Sequence, residues 1–201
     1  MRRHSLSSAT LAPNFIGSWF IEPDSLCDDL INFFESNPDK QKNGVAGQGV
    51  SLDIKKSVDI SISPHEVASK ENEVFKSYFD ALFSCHKDYL DQWPFLAEVA
   101  STLEIGPFNI QRYHPGEHFQ HVHTERYSID TLQRVLAWMT YLNDMDEGGS
   151  TFFTHYGIEV QPKKGLTLIW PAEWTHAHRG NLVTTGSKYI ITGWMDIPGG
   201  M

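Results

Sequence analysis

The sequence predicts an α+β fold: a jelly roll or sandwich of antiparallel strands from the second half of the chain, with helices from the first half packed on one of its sheets. Three observations carry this expectation. Before about residue 104 the apolar residues recur at three- and four-residue steps, the helical period. From Phe108 onward the period shortens to that of strands. Turn residues, at Pro115-Gly116, Gly148-Gly149, Lys164-Gly165 and Gly186, then cut the second half into many short runs. Such a set of strands closes most simply as two stacked sheets, one face of which the helices cover.

Taken in order, Met1 to Ala12 is basic and Ser-rich and lacks an apolar stretch, so residues 1–13 are expected to be a flexible arm and not a secretory signal. Asp24 and Ser25 stand where they can cap a helix whose Leu26, Cys27, Leu30, Ile31 and Phe34 share one side. Asn37, Pro38 and Asp39 end it, and Gly44 to Gly49 reads as a glycine-rich loop. A second helical region begins after Pro64, with Val74, Phe75, Tyr78, Phe79, Leu82 and Phe83 as a broad apolar stripe. Pro94 interrupts it, and a short helix follows through Leu103. Residues 14–104 are thus the expected helical part and residues 105–198 the expected strand core of one domain. The strand candidates are Phe108–Tyr113, Phe119–Thr124, Val135–Leu142, Thr151–Thr154, Ile158–Gln161, Leu166–Trp170 and Tyr189–Asp196.

A length of 201 residues suits one domain with a sizeable core. The net charge of −9 argues against a surface built for phosphate backbones, so no nucleic-acid partner is expected; overall acidity favours a basic partner instead. No apolar run is long enough to span a membrane. Cys27 and Cys85 are far apart and in no metal-type spacing, which predicts a reducing, cytoplasmic setting.

The unusual count is ten histidines. His114, His118, His121 and His123 crowd one stretch, and His176 and His178 form a second group. Side chains two apart on a strand share a face, so His123 and Glu125 converge if their segment is extended. A third ligand from the His176/His178 pair would complete two imidazoles and a carboxylate around one ion, with its opposite face open. That arrangement suits non-haem Fe(II) chemistry, and His with Glu also suits zinc. Alternation alone leaves His121 beside His123, and His176 beside His178, as equal candidates.

The stretches NIQRYHPGEHFQHVHTE, RVLAWMTYLNDMDEGGSTFF and VQPKKGLTLIWPAEWTHAHRGNLVTTGSKYIITGW resemble the 2-oxoglutarate/Fe(II) dioxygenase superfamily, and within it the prolyl 4-hydroxylase-like branch. The resemblance runs from Asn109 to Trp194. It implies a double-stranded β-helix core, a ligand set of His123, Glu125 and His178, and Lys188, ten positions after His178, as the cation that grips 2-oxoglutarate. It also implies that His176 lies outside the ligand set, and that Tyr141 and Tyr113 line the co-substrate pocket. Thr192 and Trp194, on the strand face of Lys188, are further candidates there. Glu125 departs from the family pattern, which usually has Asp. Arg126, Trp174, Arg179 and His121 adjoin the ligands and are candidates for the substrate rim. The implied cofactors are Fe(II), 2-oxoglutarate and O2, with ascorbate as an accessory. The implied reaction is hydroxylation of a C–H bond, foremost of a prolyl residue in a peptide or protein, with 2-oxoglutarate and O2 converted to succinate and CO2. The alternatives are an oxygenase acting on a free amino acid or other small molecule, and a jelly-roll metal- or ligand-binding module without turnover.

Overall fold

The computed structural model describes residues 1–4, 13–46, 49, 51–67 and 73–199. In chain order its strands are β1 (Arg2–Arg3), β2 (Gly17–Phe20), β3 (Lys42–Asn43), β4 (Val58–Ile62), β5 (Glu104–Ile105), β6 (Phe108–Tyr113), β7 (Phe119–His123), β8 (Arg134–Tyr141), β9 (Thr151–Phe153), β10 (Ile158–Val160), β11 (Leu166–Pro171), β12 (His178–Gly180) and β13 (Lys188–Asp196). The helices are α1 (Ser25–Ser36), α2 (Val74–Gln92) and α3 (Pro94–Val99). Among the described residues the strands form two antiparallel sheets. The larger has the order β1-β2-β11-β8-β13-β6-β4-β3, with β5 also on β13, and the smaller the order β10-β9-β12-β7.

Period-two alternation explains the layers. On β8, Leu136 and Trp138 point to the helices, while Ala137, Met139 and Tyr141 point to the smaller sheet. On β13, Ile191 and Met195 face the helices and Ile190 faces the smaller sheet, with Trp194 packed at its edge. One core is therefore helix-on-sheet, with Phe34, Phe75, Tyr78 and Phe79 set against Phe108 and Trp138. The other lies between the sheets, around Phe153, Leu168 and Trp170. The central strands are covered on both faces, which is why they read as nearly continuous apolar runs. Polar groups in the helix-facing core are paired: Tyr78 Oη lies 2.8 Å from Thr140 Oγ1, which lies 2.7 Å from Thr167 Oγ1.

The jelly roll and the helical cover agree with the expectation, but the first half of the chain is not purely helical. β2 adds to β11, and β4 adds to β6, with Ile60 opposite Ile110. The pattern Val-Asp-Ile-Ser-Ile of β4 alternates as a strand should: Ile60 and Ile62 enter the core, while Asp59 and Ser61 turn to the opposite face. β2 has four residues, too few for a periodic signal. The start of the chain is also tied down, contrary to the expected flexible arm: β1 pairs with β2, and Arg3 makes a forked pair with Asp88 of α2. Residues 5–12 of that arm, and residues 47 and 48 of the glycine-rich loop, lie outside the described residues. Asp24 occupies the position before α1, but its side chain makes no capping hydrogen bond. Among the described residues, no helix is long and apolar enough to cross a membrane.

Gly193 sits where β13 passes under Trp138. A Cβ there would lie 2.6 Å from Trp138 Cζ2 and 2.8 Å from Phe108 Cβ. Gly193→Ala is expected to cost about 2 kcal/mol through overpacking. Thermal unfolding of the variant should show a midpoint lowered by several degrees; an unchanged midpoint would refute this account of the helix-facing core.

Candidate metal centre

The smaller sheet brings two histidines together by register. His178, the first residue of β12, pairs directly with His123, the last residue of β7, and their rings lie 4.5 Å apart between centroids. Glu125 follows just beyond the end of β7. Its segment is pinned by Thr124 Oγ1 and the Arg126 N–H, which both donate to the Ala172 carbonyl. Glu125 Oε1 then lies 3.8 Å from His123 Nε2 and 3.3 Å from His178 Nε2. One ligand atom from each of the three residues falls within 4.8 Å of the others, and this is the one such group found among the described residues.

The histidines are oriented alike. His123 Nδ1 lies 2.8 Å from the carbonyl of His121, and His178 Nδ1 lies 2.9 Å from that of His176. A carbonyl only accepts, so each Nδ1 carries a proton, and in the neutral imidazole it is Nε2 that presents its lone pair toward Glu125. Phe119 stacks on His123 at 3.8 Å between centroids and holds its plane. Burial, together with the neighbouring His178, pushes His123 down to about 4 despite the opposing pull of Glu125. Burial pushes the Glu125 carboxyl up, but the neighbouring imidazoles of His178 and His123 and the hydrogen bond from the Trp194 indole outweigh it and hold it at about 2. Near neutrality the cluster thus offers neutral His123 and anionic Glu125, as a divalent ion requires of its ligands.

The other candidates separate clearly. His176 is not on a strand with His178; it lies in a 3-10 turn, Trp174–His176, and its Nε2 turns away to the Asn14 carbonyl at 2.9 Å. The shared strand face expected of this pair is therefore absent. His121 lines the cavity beside the cluster but is not part of it.

That cavity has a volume of about 1000 Å³ and reaches from the cluster to Lys188. Lys188 is 3% exposed, and no carboxylate pairs with it among the described residues. Its ammonium donates to the Gly149 carbonyl at 2.8 Å and lies 4.6 Å from the centre of the Tyr113 ring. Burial alone pushes it down to about 7. Gly149 has φ of 65°, and a Cβ there would come within 3.1 Å of Lys188 Cδ, so glycine serves both the turn and the lysine stem.

Tyr113, Thr192 and Trp194 line the cavity. Tyr113 donates to Gln111 Oε1 at 2.6 Å and Thr192 to the Trp138 carbonyl at 2.8 Å. Tyr141 does not line it. Its hydroxyl is committed to Thr151 Oγ1 at 2.7 Å and the Val160 carbonyl, and Thr151 is the residue that reaches the cavity. Arg126, Trp174 and Arg179 are also not among the lining residues: Arg126 pairs with Glu173, Trp174 is exposed, and Arg179 lies over Phe152 and donates to Asn181. Sequence reasoning missed Lys55 and Asp59, a buried pair 2.6 Å apart in the cavity wall, and Arg134. The strand alternation of Val58 to Ile62 could have placed Asp59 opposite the core, but nothing in the sequence marks Lys55 as buried.

Comparison with known proteins agrees with this geometry. Residues 108–196 match the family model described as the 2OG-Fe(II) oxygenase superfamily. The chain is 28% identical over 114 residues to a probable prolyl 4-hydroxylase 9 of Arabidopsis thaliana, covering 44% of this chain and 40% of the plant protein. It is 28% identical over 74 residues to the human prolyl 4-hydroxylase subunit alpha-1, covering 33% of this chain and 14% of that subunit. It therefore spans less than half the length of these relatives. In fold it is similar to a Pseudomonas putida prolyl-4-hydroxylase, with a TM-score of 0.71 at 19% identity over 94% of this chain and 96% of that one. It is also similar to a Trichoplax adhaerens prolyl hydroxylase solved with a hypoxia inducible factor peptide, with a TM-score of 0.71 at 16% identity over 92% and 84% of the two chains. The chain is thus similar to the superfamily model over residues 108–196 and to prolyl 4-hydroxylases over part of its length, and its fold is that of the solved prolyl hydroxylases.

If the three side chains share one ion, loss of any of them is severe. His178→Ala is expected to weaken Co(II) binding by at least about a hundredfold, since an imidazole ligand is lost outright. Calorimetric titration measures this; wild-type affinity in the variant would remove His178 from the site.

Proposed function

We propose that this protein is an Fe(II)- and 2-oxoglutarate-dependent dioxygenase that hydroxylates a C–H bond, with a prolyl residue of a peptide or protein as substrate. The observation that carries the proposal is Lys188: a buried ammonium without a carboxylate partner among the described residues, lining the same cavity as His123, Glu125 and His178. A buried cation of this kind calls for an anion from outside the chain. The distal carboxylate of 2-oxoglutarate supplies that anion, while its other end has the three clustered side chains within the same cavity. A plain metal-binding module has no need of such a lysine. The superfamily match over residues 108–196 supports the same reading.

Iron held there would supply the redox centre at which O2 is used as 2-oxoglutarate becomes succinate and CO2. The chain's own part is to bind, orient and exclude water. His123 and His178, with Nδ1 protonated, offer fixed Nε2 donors, and Glu125 offers the negative charge. Lys188 and Tyr113 form the floor for the co-substrate, and Ile190 and Met139 keep its walls apolar. A volume of about 1000 Å³ is at the upper end for small-molecule sites and leaves room for a second reactant beside the co-substrate. Lys40 and Lys42 are exposed at the outer wall of the cavity. The local charge at the mouth is thus basic, although the chain carries −9 overall, and it favours a peptide with acidic neighbours over the basic partner that net charge suggested. Ascorbate belongs to this proposal as an accessory reductant. A cytoplasmic setting belongs to it as well, supported by two buried free cysteines.

The test is conversion of 2-oxoglutarate to succinate with Fe(II), first alone and then with prolyl peptides. Succinate formation that prolyl peptides stimulate is expected, with hydroxyproline as the second product; no succinate under any condition overturns the proposal. A second expectation concerns pH. Binding the distal carboxylate requires protonated Lys188, whose ordinary value of 10.5 burial lowers to about 7. Above pH ~7 the dissociation constant for 2-oxoglutarate should therefore rise, approaching tenfold per pH unit, and below it should level off. Lys188→Met should weaken binding roughly a hundredfold and abolish that pH dependence. Calorimetric titration across the pH range checks both, and a flat wild-type profile argues against Lys188 as the carboxylate's partner.

A further inference from the structure

Glutamate at position 125 has one more rotatable bond than the aspartate usual in the family. The carboxylate can therefore wander further, or turn both oxygens to one ion. The two oxygens are not equivalent here. Oε1 faces the Nε2 atoms of His123 and His178, at 3.8 and 3.3 Å. Oε2 accepts a hydrogen bond of 2.8 Å from the indole Nε1–H of Trp194.

The indole is itself held. Trp194 stands on the cavity face of β13, and the guanidinium of Arg134 lies 3.6 Å from its ring centre. The same Arg134 donates to the backbone carbonyl of Glu125 at 2.9 Å. One residue is thus gripped at its backbone by Arg134 and at its far oxygen by Trp194, and the two grips lean on each other. The carboxylate is left with a single oxygen directed at the histidines.

We infer that Trp194 is a positioning residue for the metal-binding carboxylate, and that its indole N–H is what makes glutamate serviceable at position 125. The inference rests on the metal-site reading above. Its chemistry is specific to the longer side chain. Shortening by one methylene withdraws the carboxylate by about 1.5 Å, which takes it beyond hydrogen-bond reach of an indole that the rest of the strand holds in place.

The test is titration of the purified full chain with Co(II) alone, followed by the visible absorption of the bound ion and by calorimetry. Trp194→Phe keeps the ring stacked under Arg134 and removes only the N–H. It should weaken Co(II) binding about tenfold and shift the visible band, with the metal-free thermal midpoint nearly unchanged. In a Glu125→Asp background the same Trp194→Phe change should alter Co(II) affinity by less than about twofold, because there is no longer a bond to lose. Co(II) affinity and spectrum in Trp194→Phe that match the wild type overturn the inference, as does an equal loss in both backgrounds. Wild-type protein that fails to bind Co(II) at all would instead sink the metal site itself, so the two failures are distinguishable.

Discussion

The pairing of His178 with His123 across β12 and β7 is the constraint on which the site depends. A strand's side chains alternate, so a one-residue slip in this pairing would carry one imidazole to the opposite face of the smaller sheet and break the cluster. The register is protected on both sides. On one side β12 also pairs with β9, where Phe153 lies opposite His178 and packs into the core between the sheets. On the other, Phe119 stacks on His123, and the His118 backbone exchanges hydrogen bonds with Lys56. The edge position of β7 in its sheet leaves this strand free to face the cavity while its register is fixed from behind.

Electrostatics then sets what the cavity tolerates. Besides the exposed Lys40 and Lys42, its wall holds three cations drawn away from solvent, Lys55, Lys188 and Arg134. Lys55 is compensated in place by Asp59, which Ser57 also supports at 2.7 Å. Arg134 is spread over an indole face and a backbone carbonyl. Among the described residues, Lys188 meets a carbonyl and a ring and no carboxylate. The fold thus accepts an uncompensated buried ammonium at a cost in stability, in the manner of sites that violate a local rule for a functional reason. The depression of Lys188 to about 7 is that cost expressed as a proton affinity, and a carboxylate ligand would restore it.

How legible this was in the sequence varies with the physical cause. The strands from Phe108 to Asp196 declare themselves because their alternation or apolar run is long enough to count, and their ends fall within a residue or two of expectation. β12 has three residues, one of them glycine, and escaped for lack of any period. The histidines were visible as a group, but alternation could not rank them. What separates His178 from His176 is a 3-10 turn, and what separates His123 from His121 is which residue stands opposite β12; both are tertiary facts. Lys188 was legible only through family resemblance, since an isolated lysine on a strand carries no burial signal. Tyr141 shows the limit of a motif position. Its position in the motif suggested a ligand contact, yet its hydroxyl is spent on Thr151 inside the core. The direction of a hydroxyl depends on which acceptor lies nearest in space, and no spacing rule conveys that.

β13 carries the last step. Lys188, Ile190, Thr192 and Trp194 occupy alternate positions on it and share its cavity face. In the proposed reading the first would meet the far carboxylate of the co-substrate, and the last holds the Glu125 carboxylate through Oε2. Both ends of the site are therefore referred to one strand, and the pleat sets their separation. β13 is flanked by β8 and β6 and covered by helices on its other face, so it lies among the least deformable parts of the molecule. A longer carboxylate at position 125 would loosen the metal end if it hung from the β7 terminus alone. Referred to Trp194, it is measured from the same strand as Lys188, and the distance that a two-ended ligand must span is kept constant by backbone geometry and not by loop contacts.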